Sequence, residues 1–244
     1  MFKQSYTWQG SAHTAAPSPG SSGSAVAPAW HTIAVLLTLL GVSVVGARVG
    51  LPGSHGRVPR YLLAMLVEWA TVAFIWWGLS RRGVRLSDLI GGSWARRVYV
   101  LRDLGIGIAF IVIFGIGVNE ALSYLLKVVE PPALRALMPQ TPLEMVLWVL
   151  LSLTGGFCEE VIFRGYLQRQ FSVLTRSLVG GIVLQAIAFG LSHGYQGWRL
   201  MSVIAVYGAF FGWLARWRRS LRPGMLAHVL QDTADGLLAR FLLR

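Results

Sequence analysis

Long apolar runs separated by short polar segments make up most of the chain after residue 29. A helix that crosses a bilayer needs about 20 mostly apolar residues, and the runs have this length. We predict an all-α, polytopic transmembrane helical bundle of about seven spans, with six to eight as the range. The predicted spans are approximately 30–49, 61–80, 104–129, 143–166, 177–198, 200–217 and 225–243.

The first 28 residues differ in composition from the rest. They are rich in Ser, Gly, Ala and Pro and contain no acidic residue, a composition typical of segments that bury too little apolar surface to fold. We predict a disordered cytoplasmic tail over 1–28. A single transmembrane helical domain follows over 29–244, with its site-bearing core at 143–244.

The charge is strongly positive, with 22 Lys and Arg against 10 Asp and Glu and a net charge of +12. In a soluble protein this balance would suggest nucleic acid. Here the arginines lie mostly between apolar runs, where positive charge sets orientation and contacts anionic headgroups. We therefore expect the lipid bilayer as a partner and no nucleic acid. The charge bias predicts a cytoplasmic N-terminus, and the Arg-rich composition favours a bacterial inner (plasma) membrane.

Two adjacent carboxylates, Glu159 and Glu160, lie near the end of the fourth apolar run. Each costs roughly 2.5–3.5 kcal/mol to place in a membrane on insertion scales. Glu160 and Arg164 are four residues apart and should pair on a helix, whereas Glu159 points about 100° away. Glu159 is then free to face a cavity as a general base for water. The alternative is an ion-paired cluster at a helix end.

Two further pairs of residues lie on later apolar helices. Phe189 precedes His193 by one turn, and His228 precedes Asp232 by one turn. His193 alone is equally well explained as a hydrogen-bonded core residue, while His228 and Asp232 could hold a metal or orient each other. Together with the glutamates, they suit activation of a water against an amide, with or without a metal. Catalytic zinc is held by three protein ligands plus an open position.

The segments EEVIFRG (159–165), FGLSH (189–193) and HVLQD (228–232) together resemble the signature motifs of the CPBP intramembrane protease family. This family includes the type 2 CAAX prenyl endopeptidases and the bacterial Abi and bacteriocin-processing proteins. The resemblance covers about 155–237. It implies a CAAX-protease-like helical bundle with a conical cavity that opens to lipid.

The resemblance also implies a role for each matching residue. Glu159 activates the water, His193 assists it, and His228 with Asp232 stabilises the oxyanion. Glu160, Arg164 and Phe189 support these catalytic residues. The enzymes nearest the prenyl endopeptidases have Asn at the position of Asp232, and an ionised Asp cannot donate to an oxyanion. Asp232 is then protonated, orients His228, or binds a cation.

The family is commonly described as metalloproteases, although the participation of a metal is disputed. We expect a divalent metal, zinc, held by Glu159, His193 and His228 if one takes part, and a metal-independent reaction otherwise. The predicted function is an intramembrane endopeptidase of the metalloendopeptidase-like CAAX type, acting on a peptide or prenylated protein at the membrane. The alternatives are a non-enzymatic immunity or scaffold protein that keeps the motif for structure, and a proton-coupled transporter.

One geometric requirement follows from these spans. If 143–166 and 177–198 both cross the membrane simply, Glu159 and His193 differ in depth by more than one bridging water can span. A bend at Gly155 and Gly156, or a partly re-entrant segment over 164–176, would bring them together.

Overall fold

A computed structural model describes residues 25–49, 56–129 and 132–242. Over these ranges the chain is an all-α bundle with no named strand, which confirms the predicted fold class. A short 3₁₀ turn, Gly194–Gln196, precedes α8. The helices are α1 Ala29–Val49, α2 Arg57–Ser80, α3 Leu86–Ile90, α4 Arg97–Leu125, α5 Pro132–Arg135, α6 Pro142–Thr175, α7 Leu178–Ser192, α8 Trp198–Arg218 and α9 Arg222–Leu242.

Five helices in the described part of the chain are long and apolar enough to cross a membrane: α1, α2, α4, α6 and α8. The other two predicted spans also form helices. The α7 helix is apolar but has only 15 residues, about 22 Å at 1.5 Å per residue. The α9 helix has 21 residues but carries charged side chains that lower its hydropathy. The protein is therefore an integral membrane protein built as a helical bundle.

The α6 helix is longer than its apolar run predicts. It continues past Tyr166 to Thr175 and has 34 residues, because the polar side chains of Gln168 and Gln170 are buried in the bundle rather than exposed in a loop. Residues Glu160–Leu167 are π-helical and lie within this continuous helix. The re-entrant segment considered from the sequence is therefore absent over 164–175.

The length of α6 removes the predicted difference in depth. Only two residues separate the end of α6 at Thr175 from the start of α7 at Leu178. Glu159 precedes that end by about as many residues as His193 follows that start. Because both helices rise 1.5 Å per residue, the antiparallel hairpin places the two side chains at a similar level.

The π-helical segment forms the centre of the bundle. All its residues are buried, and α6 packs against α2, α7 and α9. Large apolar side chains on the outer faces are instead exposed, for example Leu66 on α2 at 65%. An apolar outer surface, with the charged side chains facing the interior of the bundle, is typical of a protein embedded in lipid.

The loops rich in arginine meet at one end of the bundle. The amide of Leu221 donates to the carbonyl of Ile90 at 2.8 Å, and the Nε atom of Arg222 donates to the carbonyl of Gly91 at 3.0 Å. These bonds join the α2–α4 connection, which contains α3, to the α8–α9 turn. We call this side the arginine-rich end.

Residues 1–24 of the predicted tail lie outside the described residues. The remainder of that segment is packed on the bundle: Ala27 is fully buried. Its carbonyl accepts a hydrogen bond from Nε2 of Gln170 at 2.9 Å. Packing therefore begins before residue 29, where the predicted domain starts.

Candidate active site

A glycine on α6 lets this helix lie directly against α9. A Cβ atom on Gly156 would lie 2.9 Å from the amide nitrogen of Val229 and 3.1 Å from the carbonyl oxygen of Met225. Any side chain there would separate the helices, as expected where small residues let membrane helices approach. The close approach brings the α6 carboxylates to the imidazole of α9.

Glu160 and Arg164 form the pair that their spacing predicts. The Oε1 atom of Glu160 lies 3.0 Å from Nη1 of Arg164, and both side chains are fully buried. The guanidinium of Arg164 also stacks over the rings of Phe189 at 4.2 Å and Phe211 at 4.9 Å, which favours a cation. Glu160 is thereby neutralised and held in place.

Glu159 is the carboxylate left without such a partner. Its Oε2 atom is buried and accepts no hydrogen bond from any described residue. The same atom lies 3.5 Å from Nε2 of His228. An unsatisfied carboxylate oxygen in a low-dielectric site is costly, so this atom is placed to accept a hydrogen from a water.

His228 lies at the centre of the cluster. Its Nε2 atom is 3.5 Å from Oδ2 of Asp232, as well as from Glu159. Its Nδ1 atom is 3.4 Å from Oε1 of Glu160. One imidazole therefore contacts carboxylates on both sides of its ring, and the buried pair of Glu160 and Arg164 sets its orientation.

His193 makes no direct ion pair with the carboxylates of the described residues. Its Nδ1 atom lies 2.9 Å from the carbonyl oxygen of Phe189 and 3.1 Å from Oγ of Ser192. Because a carbonyl only accepts, Nδ1 carries the hydrogen, and in the neutral form of the ring Nε2 then has the free lone pair. The ring of Phe189 lies near both histidines, with ring-centroid distances of 4.8 Å to His193 and 6.2 Å to His228.

A further carboxylate, Glu68, joins the site from α2. Its Oε2 atom is buried and has no hydrogen-bond partner among the described residues. This atom and Oδ2 of Asp232 lie 3.9 and 3.8 Å from the position that a Cβ on Gly155 would occupy. Glu68 also interacts electrostatically with Glu159 and His228. The prediction from sequence gave Glu68 no role, although a lone glutamate within an apolar run suggests a functional site.

Within the described ranges, no group of three or more His, Cys, Asp or Glu side chains is placed to hold a metal ion. Glu159 and His228 are neighbours, whereas Nδ1 of His193 contacts Phe189 and Ser192. The divalent metal at Glu159, His193 and His228 stays a prediction.

Comparison with known proteins finds a match to a family model. Residues 141–234 match the family model described as Type II CAAX prenyl endopeptidase Rce1-like. No curated protein and no solved structure matches the chain. The matched segment contains all three motifs and confirms the resemblance that they indicated. It excludes α2 and therefore Glu68.

Proposed function

We propose that this membrane protein is an intramembrane endopeptidase, because residues 141–234 match the family model of Type II CAAX prenyl endopeptidases. It hydrolyses a peptide bond of a membrane-associated peptide or protein. One observation carries the proposal: a buried carboxylate oxygen of Glu159 has no hydrogen-bond partner among the described residues and lies 3.5 Å from the imidazole of His228. The arrangement supplies a general base beside a possible hydrogen-bond donor.

The reaction begins with a water held by Glu159 and His193. The free lone pair on Nε2 of His193 accepts one hydrogen of this water, and the carboxylate of Glu159 takes the other as a proton. The water oxygen attacks the carbonyl carbon of the peptide, and the carbonyl oxygen becomes an oxyanion. His193 is thus a residue that positions the water, and Glu159 is the base.

His228 stabilises the oxyanion. With hydrogen on both ring nitrogens, Nδ1 donates to Glu160 and Nε2 donates to the developing charge. The carboxylate of Asp232 lies 3.5 Å from the same Nε2 atom and stabilises the positive charge of this imidazole electrostatically, a role open to an ionised aspartate, which cannot itself donate. The tetrahedral intermediate then collapses as Glu159 returns its proton to the amine leaving group.

The membrane context favours a substrate that is itself associated with the membrane. The site lies between helices whose outer faces are apolar, so a peptide held at the bilayer by its own apolar segment or by a prenyl group is a suitable substrate. The excess of arginine at one end favours placing that end in the cytoplasm. The start of α1 lies at the same end, because α1 and α2 both cross before the α2–α4 connection, and Nη1 of Arg82 donates to the carbonyl oxygen of Ala25.

The experiment is a cleavage assay with purified full-length protein in lipid nanodiscs. Farnesylated and unmodified peptides of the same sequence serve as substrates, and products are identified by mass spectrometry. Glu159→Gln should lower the rate by about 10²- to 10⁴-fold, the usual contribution of a general base. Glu120→Gln removes an exposed carboxylate from α4 and should leave the rate unchanged. Wild-type cleavage by the Glu159→Gln variant would refute the assignment.

The carboxylates of Glu68, Glu159 and Asp232 around one imidazole also favour a second function, the proton relay of a transporter. This function requires proton flux in proteoliposomes driven by a pH gradient, without any cleavage product. Cleavage that depends on Glu159 in the absence of such flux would exclude it.

A further inference from the structure

A separate cavity of about 430 Å³ lies at the arginine-rich end, within the range of about 300–1,000 Å³ that small-molecule sites have. It is bounded by the last turns of α6 and α8 and by the start of α7. None of the described residues that line it is acidic. Four arginines line it: Arg164, Arg169, Arg216 and Arg219. We call it the arginine cavity.

The two arginines on α6 are already engaged by the protein. Arg164 is paired with Glu160 at 3.0 Å. Arg169 donates from Nη2 to the carbonyl oxygens of Asp88 at 2.8 Å and Leu89 at 3.2 Å. The carboxylate of Asp88 accepts a bond from the amide of Arg85 instead, although it interacts electrostatically with Arg169. The charge of Arg164 is therefore compensated by Glu160, and Arg169 contributes the positive charge of the inner wall.

The other two arginines are free to bind a ligand. Arg216 and Arg219, at the end of α8, are exposed and make no ion pair or side-chain hydrogen bond with any residue that the structure describes. No described residue therefore compensates their charges at the mouth of the cavity, and Arg169 adds a further positive charge on its inner wall. Such a surface attracts an anion, and guanidinium groups match the oxygens of phosphate in geometry.

The rest of the cavity favours an anion that carries apolar chains. Val173, Leu178 and Leu221 line it beside the arginines. Outside, Val179 is 68% exposed and Trp217 is 56% exposed. Exposed tryptophans are typical of the membrane–water interface, where they lie at the level of the headgroups. A phosphate can therefore enter the cavity while its acyl chains remain in the adjacent lipid.

We propose that the arginine cavity binds a phosphate group, supplied by the headgroup of an anionic membrane lipid. Basic pockets between transmembrane helices are known to take such headgroups. This inference concerns a site other than the carboxylate cluster and does not depend on hydrolysis.

The test compares two lipids and one soluble anion on the full-length protein in detergent micelles. Phosphatidylglycerol and phosphatidylcholine with the same acyl chains are titrated separately, and inorganic phosphate is titrated alone. Lipid that stays bound is counted by native mass spectrometry. We expect phosphatidylglycerol to bind roughly tenfold or more tightly than phosphatidylcholine, because two free arginines act on its charge.

Three double variants locate the binding. Arg216→Gln with Arg219→Gln should lower the affinity for phosphatidylglycerol by roughly tenfold. Arg96→Gln with Arg97→Gln removes the same charge from exposed positions outside the cavity and should change it by less than about twofold. Arg216→Lys with Arg219→Lys keeps the charge but not the forked geometry of the guanidinium, and should lose less affinity than the double glutamine variant. Thermal unfolding in phosphatidylcholine verifies that each variant is folded.

The proposal is overturned by any of three results. Equal affinity for the two lipids would show that the cavity does not select phosphate charge. Equal losses in the two glutamine variants would reveal a general surface effect. Binding of inorganic phosphate without a preference between the lipids would assign the cavity to a soluble anion.

Discussion

The Nε2 atom of His228 lies 3.5 Å from the Oε2 atom of Glu159, although the two residues belong to different helices. The contact depends on the close packing of α6 and α9 at Gly156. In the proposed reaction, this pair supplies the carboxylate base and the imidazole donor that act on one substrate carbonyl.

The adjacent glutamates should differ in their effect on stability. Glu160→Gln leaves the fully buried guanidinium of Arg164 without a counter-charge, which costs about 3–5 kcal/mol for a buried pair. Glu159→Gln breaks no ion pair with an arginine and should change the free energy of unfolding by less than about 1 kcal/mol. Unfolding of each variant in mixed micelles measures the difference. Similar destabilisation by both changes would contradict the assigned roles.

Glu68→Gln should reduce cleavage without loss of stability. Its Oε2 atom lies near Oδ2 of Asp232 around Gly155 and has no hydrogen-bond partner in the described residues, so the substitution removes a titratable group of the site rather than a structural contact. We expect kcat to fall roughly tenfold or more, with KM and the unfolding midpoint close to wild type. Glu120→Gln is the control. If the Glu68→Gln variant loses enough stability to account for its lost activity, Glu68 has only a structural role and the prediction is wrong.

Gly156→Ala should disturb the site from outside it. The added methyl group would lie 2.9 Å from the amide nitrogen of Val229, so α6 and α9 must move apart. We expect a loss of about 1–3 kcal/mol of stability and slower cleavage although no site residue is changed. Gly105→Ala is the matched control, since nothing lies within 4 Å of its added methyl group, and it should be neutral or slightly stabilising. Equal behaviour of the two variants would contradict the close approach.

His193→Ala and His31→Ala should have opposite effects. The half-buried ring of His193 bonds only to its own helix, at Phe189 and Ser192, so its loss should lower kcat by about 10²-fold with little unfolding. The fully buried ring of His31 bonds to Tyr166 at 2.8 Å and to the carbonyl of Phe74 at 3.0 Å. Its loss should cost about 1–3 kcal/mol while the folded fraction still cleaves. The cleavage rate and the free energy of unfolding are measured for both variants. Equal effects of the two substitutions on both quantities would contradict the prediction.

Relations within one helix were predictable from the sequence. The helices follow from the length of the apolar runs, and the pairing of Glu160 with Arg164 follows from their spacing of four residues. The freedom of Glu159 follows from its angle to that pair. Each of these depends on the period of a single helix, which local spacing determines.

Relations between helices were decided by tertiary structure. The polar end of α6 resembles a loop in sequence, but in the structure Gln168 and Gln170 are buried in the bundle and the segment is helical. The rotation and close approach of packed helices bring Glu68 into the site and place the ring of Phe189 near His228. They also gather the arginines of α6 and α8 around one cavity. Sequence spacing carries no information on these contacts, because they depend on how whole helix faces fit together.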